Sequence, residues 1–311
     1  MFRNLICGAF LPLCLLLPAA AFTPSPDPTP AQKLRPESPD GRVLVIAHRG
    51  CWGEAPEVSV AAIHACEGFG VDGVEIDVQR TRDGALVLIH DDTVDRTTDG
   101  TGAVAQMSLA EIRQLRLRKG PGGPNVVLTD HRIPTLEEGL RAAKGKFIVH
   151  VDYKSASLGE IAAVVKKVGM EGQVTAWLRG LPDAATQPDP AIADAIALLP
   201  VIVDCAPGVA PCRSASPEAL DAYARYRSIG YFLTYRATRD FVGRVAAVGR
   251  PARTRIATET LGPIDNLPQL ARRGEWQALI DLGVSMILTD HPTDLAAFLK
   301  GANAPGVRAG L

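Results

Sequence analysis

The segment 45–102, VIAHRGCWGEAPEVSVAAIHACEGFGVDGVEIDVQRTRDGALVLIHDDTVDRTTDGTG, decides how the chain is read. It holds three short apolar runs, and each delivers polar residues. His48-Arg49-Gly50 follows Val43–Ala47, Glu75-Ile76-Asp77 lies within Val74–Val78, and His90-Asp91 closes Ala85–His90. Carboxylates can hold a divalent cation, histidines can carry protons near neutral pH, and arginine can neutralise phosphate oxygens. Their placement at strand ends is the informative feature.

Outward from this segment the same rhythm repeats. Val43–Ala47, Val74–Val78, Phe147–Asp152, Val174–Leu178, Pro200–Asp204, Tyr231–Tyr235, Arg255–Thr258 and Val284–Thr289 read as buried strands. Helical patterns lie between them at Ser59–Phe69, Leu136–Ala143, Leu158–Val168, Ala191–Leu198, Pro217–Tyr226, Arg239–Val248 and Glu275–Leu282. Alternating units of this kind predict an α/β protein, a (β/α)8 TIM barrel over residues 42–300. A doubly wound open sheet is the alternative, but no glycine-rich turn follows the first strand. Residues 79–131 break the rhythm with a hairpin turn at Arg82-Asp83-Gly84, a polar Thr/Asp/Gly loop and a short helix from Ser108. They read as a small insertion after the second barrel strand, of the kind that carries function.

The flanks read differently. Arg3, the apolar stretch Leu5–Leu17 and Ala19-Ala20-Ala21 form a secretory signal over residues 1–21, with Phe22 as the new N-terminus. Cys7 and Cys14 lack the small preceding residue of a lipidation site. Residues 22–41 hold six prolines and read as a linker, and 301–311 as a C-terminal tail. The remaining apolar stretches are too short for a stable membrane span once the signal is removed. Export, periplasmic or secreted, would let the four remaining cysteines pair. Cys205–Cys212 and Cys51–Cys66 are the pairings proposed among three connectivities. Lys and Arg number 33 against 34 Asp and Glu, which argues against a nucleic-acid partner.

Side chains two apart on a strand share a face, so Glu75 and Asp77 point together into the barrel mouth. Strand C-termini share that mouth, which adds His48, Asp152 and Lys154. Three converging carboxylates repel one another, and a hard divalent cation, Mg²⁺ or Ca²⁺, resolves this. Pairing with Arg49 and Lys154 alone is the competing account. Glu57 either reaches this region or starts the first helix. Trp177, near the end of the fourth strand, and His291, near the last, are candidate pocket residues. His64 reads as surface or packing, and His150 lies inside the barrel one layer below Asp152.

These residues resemble the glycerophosphodiester phosphodiesterases. The resemblance rests on His48-Arg49-Gly50, Pro56-Glu57, Glu75-Ile76-Asp77-Val78, Thr81-Arg82-Asp83-Gly84, His90-Asp91 and Asp95-Arg96-Thr97-Thr98 with Gly100 and Gly102. It continues with Ile133-Pro134-Thr135-Leu136-Glu137-Glu138 and Thr289-Asp290-His291-Pro292. It implies a barrel with a small insertion and a divalent metal ion on Glu75, Asp77 and Asp152. It also implies His48 and His90 as the acid/base pair, and Arg49, with Lys154, on the substrate phosphate. The implied reaction has a glycerol hydroxyl attack its own phosphate. One histidine takes that proton and the other protonates the leaving alcohol; water then opens the cyclic phosphate. The implied partner is a small-molecule glycerophosphodiester, and nothing in the resemblance sets an oligomeric state.

The chain departs from the family pattern at three places. Val58-Ser59 replaces the usual Asn-Thr, Asp152 replaces a glutamate, and Glu259 stands where the seventh strand often carries tryptophan. These changes bear on the substrate more than on the reaction type. The rivals are a phospholipase D-like barrel acting on lysophospholipids or sphingolipids, which would need an apolar rim, and a non-catalytic phosphodiester-binding barrel.

Overall fold

Eight apolar, β-branched runs lie side by side as parallel strands and close into a barrel in a computed structural model of the chain. It describes residues 29–34, 42–53, 55–179, 189–202, 228–234, 239–249 and 254–302. In chain order the first strands are β1 (Leu44–Ala47), β2 (Gly73–Arg80), β3 (Leu86–Leu88), β4 (Arg116–Arg118) and β5 (Leu128–Arg132). They are followed by β6 (Ile148–Tyr153), β7 (Val174–Leu178), β8 (Ala197–Ile202), β9 (Gly230–Leu233), β10 (Arg255–Glu259) and β11 (Met286–Thr289). The barrel runs β1-β2-β6-β7-β8-β9-β10-β11, and β11 pairs back onto β1. Strands covered on both faces need apolar residues at nearly every position, and β1, LVIA, is buried throughout.

The helices are α1 (Pro30–Leu34), α2 (Val60–Ala65), α3 (Leu109–Ile112), α4 (Leu136–Ala143) and α5 (Leu158–Val168). The C-terminal half adds α6 (Pro190–Ala195), α7 (Arg239–Gly249), α8 (Gln269–Asp281) and α9 (Pro292–Ala302). Their starts are written locally. Ser108, Thr135 and Ser157 each form a capping box with the glutamate three residues on, which satisfies orphan N–H groups. A large outer cluster, including Ile63, Leu136, Leu140, Ile161 and Trp276, fills the space between strands and helices. A smaller cluster with Leu44, Ile46, Ile148, Phe232 and Leu288 fills the barrel interior below the mouth.

Several expectations shift. Residues 191–198 read as helical because they are rich in Ala. The helix stops at Ala195, and Ala197, Leu198 and Leu199 pair with Thr175, Ala176 and Trp177 of β7. Tertiary pairing overrides propensity there, and the fifth barrel strand begins three residues earlier than expected. Helix α8 starts at Gln269 rather than Glu275, and α2 ends at Ala65 rather than Phe69.

The linker expectation fails for residues 29–34. Leu34 is 3% exposed and joins the inner cluster. Lys33 Nζ lies 3.0 Å from Asp72 Oδ1, and the Arg255 guanidinium donates to the Lys33 carbonyl. Helix α1 therefore plugs the barrel end opposite the mouth. Cys51 and Cys66 are joined by a disulfide with Cα atoms 5.3 Å apart, tying the loop after β1 to the end of α2. Residues 1–21, Cys205, Cys212 and the expected helix 217–226 lie outside the described residues.

The insertion is a unit of its own. β3 pairs antiparallel with the end of β2, β4 pairs with β5, and Val87, Ile89, Val94, Val104, Ile112, Leu117 and Ile133 form a separate apolar cluster. It thereby holds His90 over the barrel mouth.

Candidate active site

Strand register builds the carboxylate cluster. β2 and β6 pair Glu75 with His150 and Asp77 with Asp152, so alternate side chains of two adjacent strands enter the barrel together. Glu75, Asp77 and Asp152 are buried, and one oxygen from each lies within 4.8 Å of the others. Burial first, then the charges of Asp77 and Asp152, pushes the Glu75 carboxyl well above the usual carboxylate range. Burial also raises Asp77, against the pull of Lys154, His90 and Arg49. Burial works in the same sense on Asp152, but Lys154 and Arg179 outweigh it and hold that carboxyl below its ordinary value.

Cations surround the cluster. Lys154 Nζ is 3.1 Å from Asp77 Oδ1 and also pairs with Asp152, while Arg179 Nη2 donates to Asp152 Oδ1. The Arg49 backbone N–H donates to Glu75 Oε2 at 2.9 Å, and its side-chain Nε stands 3.8 Å from Asp77 Oδ2. Asp77 Oδ2 is buried and has no hydrogen-bond partner. An orphaned carboxylate oxygen in an all-oxygen set of three fits a hard divalent cation. Glu75, Asp77 and Asp152 are the residues that would hold it.

The two histidines share one arrangement. His48 follows β1, and its Nδ1–H donates to Asp290 Oδ1 at 2.7 Å; its Nε2 lies 4.0 Å from Glu75 Oε2. His90 follows β3, and its Nδ1–H donates to Asp91 Oδ1 at 2.7 Å. A carboxylate on Nδ1 fixes the ring and leaves Nε2 to exchange protons. Burial would raise Asp290, but His48, Trp52 and Arg49 outweigh it and keep the carboxyl below its ordinary value. Asp91 is also held low, chiefly by Arg96, whose Nε donates to Asp91 Oδ2 at 2.7 Å.

Arg96 links this pair to the barrel. It also donates to both oxygens of Glu57, at 2.7 and 3.1 Å, and Arg49 Nη1 reaches the same carboxylate at 3.2 and 3.3 Å. Glu57 thus lines the site as the acceptor for two arginines. Gln79 pins the loop below, donating to the carbonyls of His90 and Asp91. The turn after β1 is backbone-controlled. Gly50 has φ +75°, and a Cβ there would stand 2.9 Å from the Ala62 methyl. Arg49 (φ 55°) and Val58 (φ 50°) are the non-glycine residues with positive φ among the described residues, and the Val58 N–H donates to the Arg49 carbonyl at 3.0 Å. Strained backbone held by mutual contacts is common where a site must be preset.

Other sequence candidates take different places. Trp177 packs inside the mouth against His150 and Phe232, with ring centroids 5.0 and 5.2 Å away. Glu259 closes β10 and is half-buried. His291 lies near the mouth, but its Nε2 meets the Asp265 carbonyl at 3.0 Å. Burial pushes His150 down to about 4, so this ring is neutral at neutral pH. The roles of Asp290, Asp91 and Arg179 were missed in the sequence. Asp290 and Asp91 each adjoin a residue already singled out, whereas Arg179 carried no signal beyond its place after a strand.

Residues 48–178 match the model of the glycerophosphoryl diester phosphodiesterase family. Over 128 residues the chain is 42% identical to rat (Rattus norvegicus) glycerophosphodiester phosphodiesterase 1, covering 41% of this chain and 38% of that protein. Over 115 residues it is 44% identical to a glycerophosphodiester phosphodiesterase of Caldanaerobacter subterraneus, covering 37% and 46%. The chain thus spans less than half the length of these relatives. A glycerophosphoryl diester phosphodiesterase crystal structure from Parabacteroides distasonis superposes with a TM-score of 0.68 at 23% identity, over 87% of this chain and 90% of that one. A phosphodiesterase from Oleispira antarctica, solved with the product sn-glycerol-3-phosphate, superposes at 0.57 and 20% identity over 83% and 96%. These likenesses establish the barrel fold.

Proposed function

We propose that this chain, whose residues 48–178 belong to the glycerophosphoryl diester phosphodiesterase family, hydrolyses glycerophosphodiesters to glycerol 3-phosphate and an alcohol. One observation carries the reading. Two histidines, each with Nδ1 on an aspartate, flank a three-carboxylate cluster at the barrel mouth. A binding protein would need the cations but not two such pairs.

The chemistry assigned to the side chains is the one the family resemblance implies, and this geometry supports it. One histidine Nε2 takes the proton of the attacking glycerol hydroxyl, and the other gives a proton to the leaving alcohol oxygen. The roles reverse when water opens the cyclic phosphate. Asp290 and Asp91 hold the rings and stabilise the imidazolium that forms on each in turn. Arg49 and Lys154 neutralise phosphate oxygens. A bound Mg²⁺ or Ca²⁺ would add Lewis-acid stabilisation of phosphoryl charge.

Export belongs to the same proposal. Its support is the signal-like segment ending at Ala21 and the Cys51–Cys66 disulfide, which persists in an oxidising compartment. N-terminal sequencing of protein recovered outside the cytoplasm should read from Phe22; a cytoplasmic chain beginning at Met1 refutes it.

His48→Asn and His90→Asn test the catalytic assignment. Each should lose at least about a thousandfold in kcat on a glycerophosphodiester while keeping the wild-type unfolding temperature. Turnover near wild type in either variant removes that histidine from the chemistry.

A further inference from the structure

Beside the carboxylate cluster, the wall formed by the ends of β6 and β7 carries a cation on two aromatic rings. Arg179 follows β7, and its side chain is 46% exposed. It is nevertheless held on several sides. Nη2 donates to Asp152, Nη1 donates to the Tyr153 carbonyl at 3.1 Å, and the guanidinium lies 5.2 Å from the Tyr153 ring centre and 4.9 Å from that of Trp177. Lys154 stands next to it on the same carboxylate. A guanidinium fixed by a carboxylate, a carbonyl and two rings is preorganised, so little entropy is lost when it binds an anion.

We propose that Arg179 is the head-group selector of this site, favouring diesters whose leaving alcohol bears an anionic group over those bearing a quaternary ammonium. The inference rests on the phosphodiesterase reading above. Recognition of a quaternary ammonium requires open aromatic faces. Here Tyr153 and Trp177 already carry a guanidinium, so a second cation would meet repulsion and covered rings. With Glu75, Asp77 and Asp152 all turned to a divalent cation, Asp152 offsets only part of the charge of Lys154 and Arg179. That wall then keeps positive charge to spare for an anion. Electrostatic selection of this kind works through like-charge exclusion as much as through attraction.

The test compares kcat/KM for glycerophosphoinositol 4-phosphate, glycerophosphoinositol and glycerophosphocholine with Mg²⁺ present. The wild type should prefer the first over the last by at least about tenfold, with the neutral diester between them. Arg179→Met keeps the chain length over the rings and removes the charge. It should cut the anion-to-choline ratio at least about fivefold, mainly through KM, while Arg179→Lys keeps the rank order. Because the readout is a ratio, a general loss of activity in the variant does not disguise the result. A wild-type preference for choline, or an unchanged ratio in Arg179→Met, overturns the head-group assignment alone. Absence of metal-dependent turnover on all three diesters overturns the phosphodiesterase reading, and this subsite with it.

Discussion

Asp290→Asn is the most informative single change, because it leaves shape and alters one charge. Asp290 Oδ1 accepts from His48 Nδ1 at 2.7 Å and from Trp52 Nε1 at 3.3 Å, while its backbone N–H donates to Asp265 Oδ2 at 2.8 Å. The backbone anchor survives the substitution, so the loop keeps its place. The amide can still meet the ring, but it no longer stabilises an imidazolium, and its NH₂ can favour the tautomer with the proton on Nε2. A hydrogen bond to a charged partner is worth about 1.5–3 kcal/mol. At about 1.4 kcal/mol per decade, that converts to a fall in kcat of about 10- to 150-fold. Steady-state kinetics on a glycerophosphodiester at saturating Mg²⁺ reads this directly, with KM expected within about threefold of wild type because Asp290 does not touch the phosphate. Unchanged kcat, or a loss confined to KM, would refute the claim that this aspartate works through His48.

Three further outcomes follow from the same structure. Burial, then Asp77 and Asp152, raises Glu75, so the metal-free folded site takes up a proton and loses stability as pH rises above the ordinary carboxylate value. A divalent cation relieves that repulsion, so thermal unfolding should show a larger Mg²⁺-induced rise in Tm at about pH 8 than at about pH 5; an equal or opposite dependence contradicts the assignment of Glu75 to the metal. Leu34, 3% exposed at the closed end of the barrel, should cost about 2–4 kcal/mol as Leu34→Ala in urea unfolding, and no change would return residues 29–34 to the linker. Cys51→Ser opens a disulfide spanning 15 residues and should cost about 3 kcal/mol by the same assay. A reducing agent should bring the wild type to the same stability, and indifference to reduction would contradict the bond.

Much of the barrel was legible because parallel strands buried on both faces must be apolar at nearly every position. β7, α4 and α5 fall where the pattern placed them, between residues 174–178, 136–143 and 158–168. The errors lie where local composition and tertiary pairing disagree. Ala197-Leu198-Leu199 has helical composition but is drawn into β8 by its neighbour β7. Pro30–Leu34 sits in a proline-rich context yet buries Leu34, which only the assembled barrel end makes possible.

The site divides the same way. Glu75 and Asp77 announce themselves by strand parity, and the register between β2 and β6 brings in Asp152. The partner of His48 is 242 residues away in sequence, and Arg179 reaches Asp152 across 27. No spacing rule links such pairs, so their pairing had to wait for the fold.

The account stands or falls on the product formed. ³¹P NMR of the chain with glycerophosphoinositol, with and without Mg²⁺, follows the phosphorus itself. The account predicts a metal-dependent shift of the diester signal to glycerol 3-phosphate, abolished by chelation and restored by added metal. Phosphate left on the inositol, or hydrolysis indifferent to thorough metal removal, would contradict it.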